Sequence, residues 1–312
     1  MISTTPSRRR EHGQIIVLFA LGLVALMAMV GLVLDGGGAY AQRRGEQNSA
    51  DLAALAGAND YLLNNNGASA IARARSVAAQ NGYTNGTGGA TVSVTIDTSN
   101  GATVKVDIQA PHANGFASIV GMSTWAVSTT ATALTGFADT AKGAAPIIFS
   151  VHAFGTNGTP LAQYTDPAHP FAFGDGNGDV PNDASDIAWT NYGTGNVDTN
   201  EVRQIIQGNE IINKTLAFGQ YIGQHNNGNH TALFSDVNQY LSGLDVPVPI
   251  VDDNGNFQGW ATFHIVSADG GPAKTVTGYF ESNFVSQRLT ITNCSGGSCP
   301  RFLGSYVLKL VN

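Results

Sequence analysis

Residues 15 to 58 read IIVLFALGLVALMAMVGLVLDGGGAYAQRRGEQNSADLAALAGA, and the way this stretch is divided decides the fold. Its first part, Ile15 to Leu34, holds 20 residues without a charge or a proline. At about 1.5 Å per residue such a helix covers the roughly 30 Å of a bilayer's hydrocarbon core. Arg8, Arg9 and Arg10 precede it, a denser basic cluster than Arg43 and Arg44 behind it. This asymmetry predicts a cytoplasmic N-terminus and an extracytoplasmic chain beyond about residue 40. A cleaved signal peptide is the rival reading, since Ala39-Tyr40-Ala41 has the small-x-small form of a cleavage site. A cleavable apolar region is typically about 7–15 residues, and this one is longer and separated from Ala41 by Asp35 and three glycines. Prepilin-type cleavage after Gly13 is a third reading, although Leu18 stands where such substrates usually carry glutamate.

Beyond Gly36-Gly37-Gly38, helical periodicity resumes with small residues, Ala50, Ala54 and Gly57, then Tyr61, at intervals of four, three and four. Small side chains let another backbone come close, so this face is expected to pack against a sheet or a partner subunit. The three glycines, each costing a helix about 1 kcal/mol relative to alanine, predict a flexible joint at the membrane surface.

The same stretch carries a resemblance. A basic segment, Gly13-Gln14, the apolar span, Asp35-Gly36, Tyr40, Gln42-Arg43-Arg44 and the run from Gln47 to Ala58, with Asp51 in the acidic position, resemble the N-terminal region of the TadE/TadG-like family of Flp (tight adherence) pilus-assembly proteins. The likeness lies in order and spacing over about the first 60 residues. It implies a bacterial inner-membrane protein with an exported domain, working with other pilus-assembly proteins or pilin-like subunits in a thin adhesive pilus, and it brings no catalytic residue.

Composition agrees with export. Only 12% of the 312 residues are charged and 38 are glycine, which suits a turn-rich β protein rather than a disordered chain. The net charge of -7 conceals an asymmetry, because 10 basic and 20 acidic residues follow position 44. An acidic exterior argues against nucleic acid or anionic lipid as a partner. Cys294 and Cys299, in CSGGSC, are spaced for a local disulfide in an oxidising compartment, whereas a zinc site would need further Cys or His ligands nearby.

The exported part reads as α+β. A helix over 69–80 precedes two alternating segments, TVSVTI (91–96) and TVKVDI (103–108), joined by a loop containing Asn100-Gly101, which predict a hairpin. Pro111 is expected to stop the second strand, 116–122 to form a short helix and 125–134 a third strand. The resulting organisation is a basic segment (1–14), a transmembrane helix (15–34), a pilin-like helical stalk with a small antiparallel sheet (35–140), a linker near 136–145, and a β-rich module (146–312). Short apolar strands between turns predict a sandwich or barrel for that module, with a helical insert over 201–224.

Four constellations carry candidate chemistry. In DGNGDVPNDASD, Asp175, Asn177, Asp179, Asp183 and Asp186 fall at positions 1, 3, 5, 9 and 12 of a calcium loop, with the Pro181 carbonyl at 7. Val180 replaces the usual turn glycine and Asp186 the usual glutamate, so Ca²⁺ competes with a solvated acidic turn as the reading. His225 and His230 fit no zinc spacing, and His264 is expected to face solvent from a strand. Trp189-Thr190-Asn191-Tyr192 and Gly193 to Asn196 could stack on and hydrogen-bond a sugar. No nucleophile elbow or phosphate-binding loop occurs, and no small-molecule substrate is implied. The expectation is a non-enzymatic, membrane-anchored pilus-assembly component; the alternative is an exported adhesin, glycan-binding protein or hydrolase on the same anchor.

Overall fold

The computed structural model describes residues 12–175, 180–193, 197–208, 213–222, 230–292, 294 and 299–311. The first helix, α1 (His12–Asn64), runs 53 residues without a break. The expected joint at Gly36 to Gly38 is therefore not a break in the helix. Apolar and alanine-rich segments on either side propagate helix through the glycines, at a cost that elongation from both flanks can bear. Apart from Gly31, the side chains from Ile15 to Leu34 are exposed, as expected of a segment long and apolar enough to cross a membrane. Asn65, at φ 46°, ends the helix in the left-handed region, and the Asn66 side chain caps α2 (Gly67–Gln80) by accepting from Ala68 and Ser69 N–H.

The α+β class holds. Strands β1 (Thr91–Asp97) and β2 (Ala102–Ala113) alternate buried and exposed residues, as their period-two sequences require. β2 does not stop at Pro111. It is twelve residues long against seven in β1, so Pro111 lies past the last residue β1 can face and its missing N–H interrupts no pair with β1. The expected helix at 116–122 is a single 3₁₀ turn, Ala117–Val120, and the third strand is β3 (Thr124–Gly136).

The stretch read as a linker contains β4 (Thr140–Lys142), which pairs with β8 (Asn213–Thr215) and β13 (Leu289–Thr290). Among the described residues, the helix of the expected insert is confined to α3 (Thr199–Ile206), after which Gly208, at φ 72°, turns the chain. A second short helix, α4 (Thr231–Tyr240), follows β8.

The remaining strands close into a barrel: β5 (Ile147–Ser150), β6 (Phe171–Asp175), β7 (Asp186–Trp189), β9 (Asp245–Val251), β10 (Phe257–Asp269) and β11 (Thr275–Phe280), in the order β10-β11-β6-β7-β5-β9. Phe149, Phe173, Phe263 and Phe280 interlock in its core, ring centroids 4.7 to 5.7 Å apart. Each such pair adds about 0.5–1.5 kcal/mol beyond area burial. Gly278 makes this packing possible, because a Cβ there would overlap the His264 carbonyl oxygen and the Phe263 ring. The last strands are β12 (Phe284–Val285) and β14 (Ser305–Val311), and β14 pairs antiparallel with the end of β3 from Val307↔Gly136 to Val311↔Thr132.

Two compact units divide the chain. One comprises Met1–Ala53, Arg73–Val94 and Val106–Ala131; the other comprises Ala54–Ala72, Thr95–Lys105 and Thr132–Asn312 and contains the barrel.

Candidate functional site

In the first unit, one face of α1 is built to receive the sheet. Gly31, Asp35, Gly38, Gln42, Glu46 and Ser49 recur every three or four residues and so share a stripe. At its lower end a Cβ on Gly31 would fall 2.5 Å from Phe116 Cβ, and one on Gly38 would fall 2.9 Å from His112 Cε1, so these two glycines are sites of close approach. Between them Asp35, though acidic, is almost fully buried. Its Oδ1 accepts from Gly115 N–H at 2.8 Å and its Oδ2 from Phe116 and Ala117 N–H at 3.0 and 2.7 Å. One carboxylate thus holds the start of the 3₁₀ turn.

Higher on the stripe, Gln42 Nε2 donates to Glu46 Oε1 at 2.9 Å, while its Oε1 meets His112 Nδ1 at 2.9 Å. Gln47 donates to Asp51 at 2.8 Å and to the Thr130 carbonyl at 3.1 Å. Tyr83 lies against Gly45, and burial beside Glu46 pushes its phenol up. Arg43, Arg44 and Tyr40 are exposed. The polar residues of the pattern from Asp35 to Asp51 thus divide into those that fasten α1 to the sheet and those that remain free at the surface.

In the second unit the acidic loop connects two parallel strands, β6 and β7, whose register sets Gly174 beside Asp186 and Asp175 beside Ile187. Positions 1 and 12 of the predicted loop are therefore brought onto neighbouring strands. Burial pushes the Asp175 and Asp186 carboxyls up, Asp186 also feeling Asp183. Asp183 is held low, chiefly by the backbone N–H of Ser185, whose hydroxyl also donates to it at 2.9 Å. Asn177 and Asp179 lie outside the described residues. Among the described residues no group of three or more His, Cys, Asp or Glu is placed to hold a metal.

Cys294 and Cys299 are joined by a disulfide. The Cys294 N–H donates to Asn100 Oδ1 at 2.7 Å, which fastens this loop to the β1–β2 hairpin tip. The aromatics considered for sugar stacking are inside: Trp189 and Tyr192 are buried, and the Tyr192 hydroxyl donates to the Ala145 carbonyl. Their rings have no free face to offer a ligand, and Gly195, with its neighbours 194 and 196, lies outside the described residues, as does His225. His264 is not simply solvated; its Nδ1 meets Asp245 Oδ1 at 2.7 Å and its ring stacks on Tyr279 at 4.8 Å.

A half-open cleft of about 990 Å³ in this unit lies among the end of α1, the hairpin tip, residues 151–158 and residues 299–303. His152, on its wall, meets Asp253 Oδ1 at 2.7 Å. Sequence reasoning passed over this pair and, although it singled out Asp35 in the Asp-Gly motif, missed what Asp35 binds, because each is completed by a residue about 80 to 100 positions away.

No curated protein and no solved structure matches the chain. Residues 13–60, most of α1, match the family model described as putative Flp pilus-assembly TadE/G-like, so the chain carries that family's sequence pattern at its N-terminal end.

Proposed function

We propose that this protein is a single-pass, membrane-anchored and non-catalytic component of a tight adherence (Flp-type) pilus assembly system. Its N-terminus lies in the cytoplasm and its folded units lie outside the bacterial inner membrane, where they meet other assembly proteins or pilin-like subunits. The observation that carries this reading is the continuity of α1. An exposed apolar half long enough to cross a bilayer passes without interruption into a half fastened to a sheet, and the family match spans both. Such a helix transmits position from the membrane to the folded part as a rigid strut, which suits an assembly scaffold. The basic cluster Arg8 to Arg10 supports the orientation, and a disulfide-bonded loop suits an oxidising compartment.

Deletion of the gene should abolish surface pili, and the wild-type chain should restore them. A chain truncated before Gly36 should not. Protease added to intact spheroplasts should degrade a C-terminal tag and spare an N-terminal one. Pili assembled normally in the deletion strain would refute the role, and the reverse protection pattern would refute the orientation.

A further inference from the structure

Among the described residues, the loop joining β2 to β3 gathers the most exposed large apolar side chains outside the anchor. Phe116, Ile119, Val120 and Met122 are 44%, 81%, 73% and 56% exposed, side by side on one short turn. No Asp, Glu, Lys or Arg occurs between Asp107 and Asp139. In a water-soluble loop four such side chains would be an aggregation liability.

Their position relative to α1, within the same unit, says what covers them. Phe116 packs on Gly31, three residues inside the C-terminal end of the apolar run Ile15 to Leu34. At about 1.5 Å per residue, that contact lies roughly 5 Å below the end of the run. Where the run is in hydrocarbon, Phe116 is at the hydrocarbon boundary. Interfacial segments bury their apolar faces about 5–10 Å into that boundary.

The backbone of the loop is prepared for the same place. Peptide N–H groups entering a bilayer must find partners within the protein. Here Gly115, Phe116 and Ala117 donate to Asp35. Ile119 donates to the Phe116 carbonyl, Gly121 to Ser118 and Met122 to Ala117. The Ser118 hydroxyl turns back to the Gly115 carbonyl at 2.6 Å. Gly121, at φ 89°, allows the tight reversal that closes this pattern. Asp35, immediately after the apolar run, is consumed in the process and exposes little charge to the lipid.

We infer that the β2–β3 loop is a second membrane contact, a foot that inserts Ile119, Val120 and Met122 into the outer leaflet beside α1. Its occupant is the acyl region of the lipid, reached because the apolar surface of α1 continues onto the turn. The inference rests on the reading of α1 as a transmembrane helix. Two points of attachment would restrain the tilt of the protein relative to the membrane plane, which a single helix leaves free.

Full-length protein is reconstituted in phosphatidylcholine–phosphatidylglycerol vesicles carrying nitroxide-labelled acyl chains. Because the two native cysteines are bonded to each other, an environment-sensitive fluorophore can be placed singly at Val120→Cys, Ile119→Cys, Met27→Cys in the anchor, or Asn254→Cys on a barrel turn. The expected result is blue-shifted emission and strong nitroxide quenching at 119, 120 and 27, with neither at 254. Quenching at 27 but not at 119 and 120 would overturn the foot and leave the anchor standing. No quenching at 27 would remove the anchor and the foot with it. A blue shift at 119 and 120 without quenching would mean that protein, such as a second copy, covers the loop, and would also overturn the proposal.

Discussion

Asp35 is the residue on which the first unit turns. A carboxylate directly after 20 apolar residues looks, in sequence, like the polar stop of a membrane span. In the fold it is a clamp on backbone donors some 80 positions away. Charge-assisted bonds from three successive N–H groups satisfy a turn that no regular ladder could serve. Asp35→Leu, alike in branching though larger and with no acceptor, should therefore loosen that turn specifically. Amide exchange measured on the full chain in nanodiscs should accelerate on the order of tenfold at Gly115, Phe116 and Ala117, while the barrel amides keep their protection. Asp35→Asn keeps one acceptor oxygen and should fall between. Uniform acceleration across the chain, or none at the turn, would show that the carboxylate does not hold it. The motif was legible, but its role was not, because the partners are backbone groups that leave no mark in sequence.

At the level of the element, α1 shows why a triple glycine need not be a joint. Propensity alone predicts weakness at Gly36 to Gly38, and that cost is real, about 1 kcal/mol per glycine. The five glycines from Gly31 to Gly45 do different things, however. Nothing lies within 4 Å of a Cβ built on Gly36 or Gly37, whereas a Cβ on Gly31 would meet Phe116 at 2.5 Å. Gly36→Ala and Gly37→Ala should accordingly each stabilise the chain by up to about 1 kcal/mol, seen as a higher Tm in detergent. Gly31→Ala should lower it, because the Phe116 ring must move away from its root. If Gly36→Ala and Gly37→Ala raise stability yet impair pilus formation, bending there is used during assembly. If neither changes stability, the helix is not continuous at that point in solution. The strands were more legible, since the alternation of Val92, Val94, Val104 and Val106 depends only on local period. β4 was not, because its three residues acquire strand structure from pairing with 213–215 and 289–290.

Across the whole molecule, sequence recovered what is local and contiguous: the apolar span, the hairpin and the close pair of cysteines. The barrel was legible only as a class, since its closure depends on β5 meeting β9 and β6 meeting β7 in parallel, pairings between segments far apart or joined by a loop. That second junction is where the remaining prediction lies. β6 and β7 bring Asp175 and Asp186 onto adjacent strands, and burial disfavours charge on both. Calcium bound across the 175–186 connection would offset that cost and brace the parallel pair. Exported calcium loops typically bind at about 10⁻⁴–10⁻³ M, so calcium at ten times Kd should add roughly 1.4 kcal/mol to the stability of the barrel unit. The full chain in nanodiscs should then show a later barrel transition with 5 mM CaCl₂ than with NaCl of equal ionic strength. Asp175→Asn should remove the calcium-dependent part and leave the calcium-free transition unchanged or slightly higher, because a buried charge has gone. If the wild-type transition does not respond to calcium, the 175–186 connection is an acidic turn, and the aromatic core around Phe149 and Phe263 holds the barrel without a metal.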